Sequence, residues 1–266
     1  MRKTCSLFLF VLLSLILISF SPAHGQEQNL FSAVSISPGI GFEYFTRTIN
    51  WDDEQISKLR YRFIAVNMEV ELQRGFFIRA VLGYSSSSFD ATSDYDALTF
   101  RELPISLELD VGYIKGYILG ANIKKSLIQS EELRIDASGE FFYCIGKKNE
   151  WEMPEDFVVE GSAEGRPTWM RASLGPVFTY TGFESIYPYL YLNYSKLWGK
   201  FHMEQTIEAL SGTEDQKIYG ESSVCIGLGF TFKLTESLSF KPEVNFFPYK
   251  DGVDSGIMIR AMYTFY

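Results

Sequence analysis

From Val224 to Tyr266 the chain repeats one pattern, an apolar residue at every second position, through three consecutive runs. In the first run Val224, Ile226, Leu228, Phe230 and Phe232 alternate with Ser223, Cys225, Gly227, Gly229, Thr231 and Lys233. One face is therefore continuously apolar and the other small or polar, which is the period of a β-strand. The alternation recurs over most of the chain after residue 26. An apolar face repeated on so many strands has to be covered by lipid or by a second sheet.

The start of the chain has a different logic. Arg2 and Lys3 precede an apolar run from Leu7 to Phe20, and Ser21-Pro22-Ala23-His24-Gly25 leads into the polar Gln26-Glu27-Gln28. That order predicts a cleaved signal peptide over 1–25 and a mature domain over 26–266, with Ala23 and Gly25 as the small residues at the cleavage site. The apolar run is short of the roughly 20 residues that span a bilayer as a helix. Elsewhere 46% hydrophobic and 16% aromatic residues are interleaved with polar ones instead of clustered. In lipid every backbone donor and acceptor must be paired within the protein, so a chain of this pattern closes its sheet. The expected fold is all-β: a transmembrane antiparallel up-and-down β-barrel of about twelve strands, with ten as the alternative. Losing Arg2 and Lys3 takes the formal charge from −9 to −11, a balance that argues against nucleic acid. It suits divalent ions bridging acidic loops to lipopolysaccharide, and the expected setting is the outer membrane of a Gram-negative cell.

Strands are expected near Phe31–Phe45, through Ile64–Leu72, from Phe76 through Leu82, and near Phe100–Asp110, Gly116–Lys124, Leu133–Ile145, Met170–Tyr180, Tyr187–Lys196 and Lys200–Leu210, then the three C-terminal ones. Short turns fall near Arg74, Ile114, Gly199 and Thr235, and longer polar loops over Thr46–Arg60 and Ser85–Leu98. Across the first turn, Leu72 facing Phe76 pairs Val70 with Ile78, Met68 with Ala80, Val66 with Leu82 and Glu69 with Arg79. A one-residue slip would put Arg79 in lipid. By strand parity the acidic segment Lys147–Thr168 falls on the periplasmic side, against the rule that turns there are short.

The chain resembles outer-membrane β-barrel families of Bacteroidota. The likeness lies in the Gln26 start, in Arg101-Glu102-Leu103-Pro104-Ile105-Ser106-Leu107-Glu108-Leu109, in Leu174-Gly175-Pro176-Val177-Phe178, and in Ile226-Gly227-Leu228-Gly229-Phe230 through Ala261-Met262-Tyr263-Thr264-Phe265-Tyr266. The resemblance implies a small porin-like barrel whose last strand, with Tyr263, Phe265 and Tyr266, is recognised by the barrel assembly machinery. In this chain Ile257, Ile259, Ala261, Tyr263 and Phe265 run one position out of phase with Tyr266. No catalytic motif comes with the resemblance.

Candidate chemistry is sparse. His202 is the one histidine after the leader, and a Ser195, His202 and Glu204 set can be drawn with His202 and Glu204 inward and Ser195 across a turn at Gly199. It would sit at the periplasmic rim, so catalysis is not expected, and a lumen histidine is the better account. Inward charges form the larger constellation: Glu69, Glu71, Glu108, Asp110, Asp136, Glu140 and Glu243 against Arg79, Lys124, Arg134, Arg171, Lys233, Lys241 and Arg260. Paired, they plug the lumen; the alternative is a charged constriction that selects ions. Phe77, Phe142, Tyr191 and Phe247 also point inward, which favours the plug, and inward glycines such as Gly83 and Gly227 leave them room. The clusters Asp52-Asp53-Glu54 and Asp90, Asp94, Asp96 lack the spacing of a calcium loop and read as solvated surface. No cofactor or resident metal is called for. Cys144 and Cys225 fall on strands that are not sequence neighbours, so a disulfide is not favoured. The expected function is a non-enzymatic narrow or plugged barrel for small-solute passage or envelope integrity. An envelope-complex subunit docking through residues 147–168 is the alternative.

Overall fold

A computed structural model describes residues 35–52, 55–72, 75–91, 98–99, 103, 108–109, 112–152 and 161–265. The leader, the Gln26 start, Asp110, Tyr266 and most of the acidic loop residues lie outside them. The described chain is all β, and its strands are β1 (Ser35–Trp51), β2 (Ile56–Leu72), β3 (Phe76–Ala91), β4 (Leu98–Thr99), β5 (Glu108–Leu109), β6 (Ile114–Gln129) and β7 (Leu133–Gly146). They continue as β8 (Asn149–Glu152), β9 (Gly161–Tyr180), β10 (Ile186–Ile207), β11 (Leu210–Gly220), β12 (Val224–Lys233), β13 (Leu238–Tyr249) and β14 (Gly252–Tyr263). Twelve of these make one antiparallel sheet, the number the alternation predicts. Ten close the ring, in the order β1-β2-β3-β6-β7-β9-β10-β12-β13-β14 and back to β1.

The other two are extensions at one end. β8 pairs with β9 above the place where β7 ends, and β11 pairs with β10 above the end of β12. Above the β13–β14 hairpin β11 joins β1 directly, through Ile49 opposite Gly220 and Trp51 opposite Ile218. The break between β11 and β12 is held from inside the barrel, where buried Arg47 donates to the Ser222 carbonyl at 2.7 Å. Glu221 N–H donates to the Thr48 carbonyl at 3.0 Å, so the chain is tied on both sides of the break.

The register between β2 and β3 is the expected one, Leu72 with Phe76, Val66 with Leu82 and Glu69 with Arg79, and Gly75 turns the chain at φ 66°. Three local expectations are corrected. Gly199 makes no turn: it lies inside the 22-residue β10, where an added Cβ would collide with the Thr168 carbonyl and with Trp169. Phe100–Asp110 is not a barrel strand, because the backbone of Glu108 and Leu109 pairs with Thr99 and Leu98 in a separate two-stranded sheet. Ile114 is the first residue of β6 and no turn.

With the Phe100–Asp110 strand removed from the count, Lys147–Thr168 moves to the opposite end. The termini of the barrel and the chain reversals at Gly75, 130–132, 181–185 and 234–237 share one end. Trp51-Asp52, Gly112-Tyr113, Lys147-Lys148, Glu208-Ala209 and Lys250-Asp251 share the other.

The wall has two zones with opposite logic. Around its middle the outward residues are apolar and exposed, including Val66 at 60%, Leu82 at 55%, Leu192 at 52% and Leu228 at 50%. A water-facing surface rarely carries a contiguous apolar patch beyond a few hundred Å², and this belt runs round the ring. Toward the loop end the phase inverts: on β2 Leu59, Tyr61 and Phe63 point in and are buried, while Arg60 and Arg62 point out. The segments expected as loops are therefore strand over 46–51, 56–60 and 85–91, with Ile49, Trp51, Leu59 and Phe89 filling the lumen instead of facing lipid.

Candidate functional site

Two stacked layers of aromatic rings occupy the loop half of the lumen. In the lower one Tyr61 and Trp169 meet edge-on at 4.5 Å, Phe45 lies 5.1 Å from Tyr61 and 5.9 Å from Trp169, and Phe247 is 6.2 Å from Phe45. The upper layer joins Trp51, Phe89 and Phe201 at 5.6–6.2 Å, with Trp151 at 6.3 Å from Phe201. Leu59, Leu197, Met203 and Ile218 fill the gaps, fully buried. Each large ring buried this way stabilises by about 1.5–3 kcal/mol, so the seal is also a core. Room for it comes from residues without side chains, and the Gly165 position is filled by the rings of Phe201 and Trp151.

Below the seal lies a cavity of about 480 Å³ whose lining runs from Glu43 and Phe247 down to Glu71, Thr235 and Thr264 at the turn end. The structure brings most of the sequence-derived charges together here. Arg171 is the hub: it donates to Glu43 at 2.6 and 3.0 Å and to Glu140 at 3.3 Å, with Glu43 and Arg171 both buried. Arg79 reaches Glu140 at 3.8 Å and Glu69 at 4.0 Å, and Lys241 reaches Glu69 at 3.9 Å. Asp136 takes Arg134 at 3.1 Å and Lys124 at 3.9 Å. Glu243 accepts hydrogen bonds from Tyr189 and Tyr191, both at 2.8 Å, and pairs with Arg260 at 3.4 Å. A charge taken from water is tolerated only with such partners.

Some assignments change. Glu71 sits at the rim, where Ser35 donates to it at 3.5 Å. Lys233 lies over the Tyr187 ring at 5.0 Å. Glu108 belongs to the small sheet, outside the barrel wall. Sequence reasoning left Glu43, Arg47 and the aromatic seal out of the site. The signal that finds the seal is the phase inversion, as in Leu59-Arg60-Tyr61-Arg62-Phe63 followed by Ile64-Ala65-Val66-Asn67.

Ser195, His202 and Glu204 do not come together. Ser195 is buried in the lumen, whereas His202 and Glu204 face outward on β10 above the apolar belt, which corrects the expectation of an inward histidine. His202 lies between two carboxylates, Nδ1 at 2.5 Å from Asp215 and Nε2 at 3.0 Å from Glu204. Lys200 joins the pair at 2.7 Å from Asp215. The hydrogen bonds to Asp215 and then Glu204 raise the imidazole pKa above its usual 6.5. Because the folded value is the higher one, the stabilisation is complete below the unfolded pKa and is lost as pH rises through the folded one. Protease nicking at the β10–β11 turn, Glu208-Ala209, is expected to increase as pH rises from below the ordinary imidazole value through the raised folded one. His202→Gln should flatten that dependence, and an unchanged profile in the variant would remove His202 as its source.

Cys144 and Cys225 are free, buried thiols. Tyr263 and Phe265 of the final strand face outward, their rings 4.9 Å apart, and Phe265 bridges back to Ile36. Among the described residues no group of His, Cys, Asp and Glu is arranged to hold a metal ion.

Closed ring, apolar outer belt and plugged lumen together define a transmembrane β-barrel. Solved structures with a similar fold are outer-membrane barrels. The outer membrane protease OmpT of Escherichia coli is 12% identical, over 90% of this chain and 99% of its own, with a TM-score of 0.49. The translocator domain of the Neisseria meningitidis autotransporter NalP is 11% identical over 99% and 98%, at 0.48. An outer membrane channel from Pseudomonas putida F1 is 9% identical over 92% and 100%, at 0.43. No family model and no curated protein matches the sequence. One expectation is corrected here. The sequence argued against an enzyme, yet a protease is among the solved structures similar to this chain.

Proposed function

We propose that the protein is an outer-membrane β-barrel of a Gram-negative cell whose lumen is sealed at the loop end and opens to the periplasm as a charge-lined vestibule. Its role is in the envelope itself and not in free passage of solutes. The observation that carries this reading is the pair of aromatic layers across the lumen, with Phe45, Trp169, Leu197 and Phe201 all 0% exposed. Orientation follows from the chain reversals on the side of the termini and the larger connections opposite. The Bacteroidota resemblance, the assembly role of Tyr263, Phe265 and Tyr266, and the partner docking through 147–168 stand with this proposal. Docking through that segment would be on the outer side.

The test is fractionation of cells followed by planar-bilayer recording of the purified chain under a salt gradient. A folded protein in the outer-membrane fraction that gives no conductance steps is expected. Discrete steps would overturn the seal, and recovery in the inner membrane or cytoplasm would overturn the location.

A further inference from the structure

On five strands of the ring, the first charged outward residue above the apolar belt is a cation. Arg62 follows Ile64 on β2, Lys115 follows Tyr117 on β6, Lys147 follows Ile145 at the end of β7, Arg166 stands above Met170 on β9, and Lys196 follows Tyr194 on β10. The first four lie in one lateral row, since Arg62 pairs with Ser86, Ser86 with Lys115, and Lys147 N–H donates to the Lys115 carbonyl at 2.7 Å. Arg166 donates to the Gly146 carbonyl at 3.1 Å, beside Lys147. Arg62, Lys115, Lys147 and Lys196 are exposed, and among the described residues none of the five cations forms an ion pair. In a chain of net charge −9 that concentration is not a consequence of composition.

Tyrosines join the cations to the belt below. The Arg62 guanidinium lies 4.7 Å from the Tyr113 ring, and Lys147 Nζ lies 5.2 Å from Tyr117 and 5.9 Å from Tyr84. Tyr84 and Tyr117 pack edge-on at 6.1 Å and are 40% and 50% exposed. Rings at this level present an apolar body to acyl chains and a hydroxyl to the headgroup layer. At the opposite end of the barrel the chain reversals carry Glu131, Glu132, Glu184 and Glu236. The cationic collar thus belongs to one leaflet.

We infer that this collar binds the phosphate groups of an anionic lipid in the leaflet at the loop end, with the lipid's acyl chains along the belt beneath Tyr84 and Tyr117. The inference rests on the outer-membrane reading above. Strands about 4.8 Å apart place Arg62 and Lys115 about 10 Å from each other along the row, so one bisphosphorylated headgroup spans them. Lysine and arginine bind phosphate by charge and, for arginine, by paired N–H donors.

The probe is diphosphoryl lipid A titrated into the full chain purified folded in detergent, with native mass spectrometry as the readout. The comparison ligands are its dephosphorylated form and inorganic phosphate. Tight binding of the diphosphoryl form is expected, and millimolar inorganic phosphate should not displace it. The variant Arg62→Ala/Lys115→Ala/Lys147→Ala should weaken binding about tenfold, the sum of three partly exposed charge contacts. Lys217→Ala, which removes a cation paired with Asp52 outside the collar, should change nothing. Heat-modifiable gel mobility reports that each variant is folded; if the triple variant does not fold, Lys115→Ala alone serves, with a smaller loss expected. Equal affinity in the folded variants, equal binding of the dephosphorylated lipid, or displacement by inorganic phosphate would each overturn the proposal. Cell fractionation separates that failure from a failure of the location.

Discussion

Replacing Trp169 and Phe201 together by alanine is expected to turn a silent barrel into a conducting one. The two side chains lie on neighbouring strands, one from each aromatic layer, with Gly199 paired opposite Trp169 and Phe201 opposite Pro167. Beside them Gly199 and Gly165 contribute no side chain: a Cβ on Gly199 would meet Trp169, and one on Gly165 would meet Phe201 and Trp151. Truncation therefore carves a groove up the β9–β10 wall from the 480 Å³ vestibule toward the loop end. Each truncation should cost about 3–5 kcal/mol of stability, because a rigid sheet cannot collapse into the space. Discrete single-channel steps in the folded double variant, against a silent wild type, are the expected record. A folded but silent variant would show that the side chains left in the lumen, among them Phe45, Tyr61, Trp51 and Phe89, suffice to seal it.

The second large effect concerns stability. Arg171→Met leaves Glu43, buried at 0% exposure, and Glu140 facing each other without the guanidinium between them. Removing one partner of a buried ion pair typically costs about 3–5 kcal/mol, since the remaining charge stays desolvated. In urea unfolding followed by gel mobility, the midpoint should fall accordingly. Adding Glu43→Gln to Arg171→Met should recover part of the loss, because a neutral amide is cheaper to bury than an unpaired carboxylate. A loss below about 1 kcal/mol in the single variant, the range of an exposed pair, would mean that water solvates these groups and the lumen is wetter than the packing indicates.

The vestibule was more legible in the sequence than the seal, for a reason visible in β2. From Ile64 to Leu72 the outward residues meet lipid and must be apolar, so Asn67, Glu69 and Glu71 stand out as the inner set. From Ser57 to Phe63 the outward residues meet water, the apolar ones turn inward, and the same alternation appears in the opposite phase. Taken with lipid-facing logic throughout, this stretch looks like a polar loop. Glu43 was legible as an inner residue, but its partner Arg171 lies 128 positions away, and no local pattern states that separation.

Gly199 and His202 mark the boundary from the other side. A glycine between Trp198 and Lys200 has the local character of a turn, yet it is a strand position kept small by the Thr168 carbonyl and the Cα and Cβ of Trp169 on the neighbouring strand. Once that turn disappears, His202 shifts from the rim of the lumen to the outer face above the belt, and the Ser195 set comes apart. The sequence by itself determined the strand period, most of the lipid-facing set, the β2–β3 register and many of the charges that line the vestibule. Each of these follows from alternation that any one hairpin must satisfy. Only the tertiary structure decided that the ring closes on ten strands with two extensions, which end carries Lys147–Thr168, and that the lumen is shut. Those depend on which distant strands meet and on rings from seven of them filling one space, and no single strand records either.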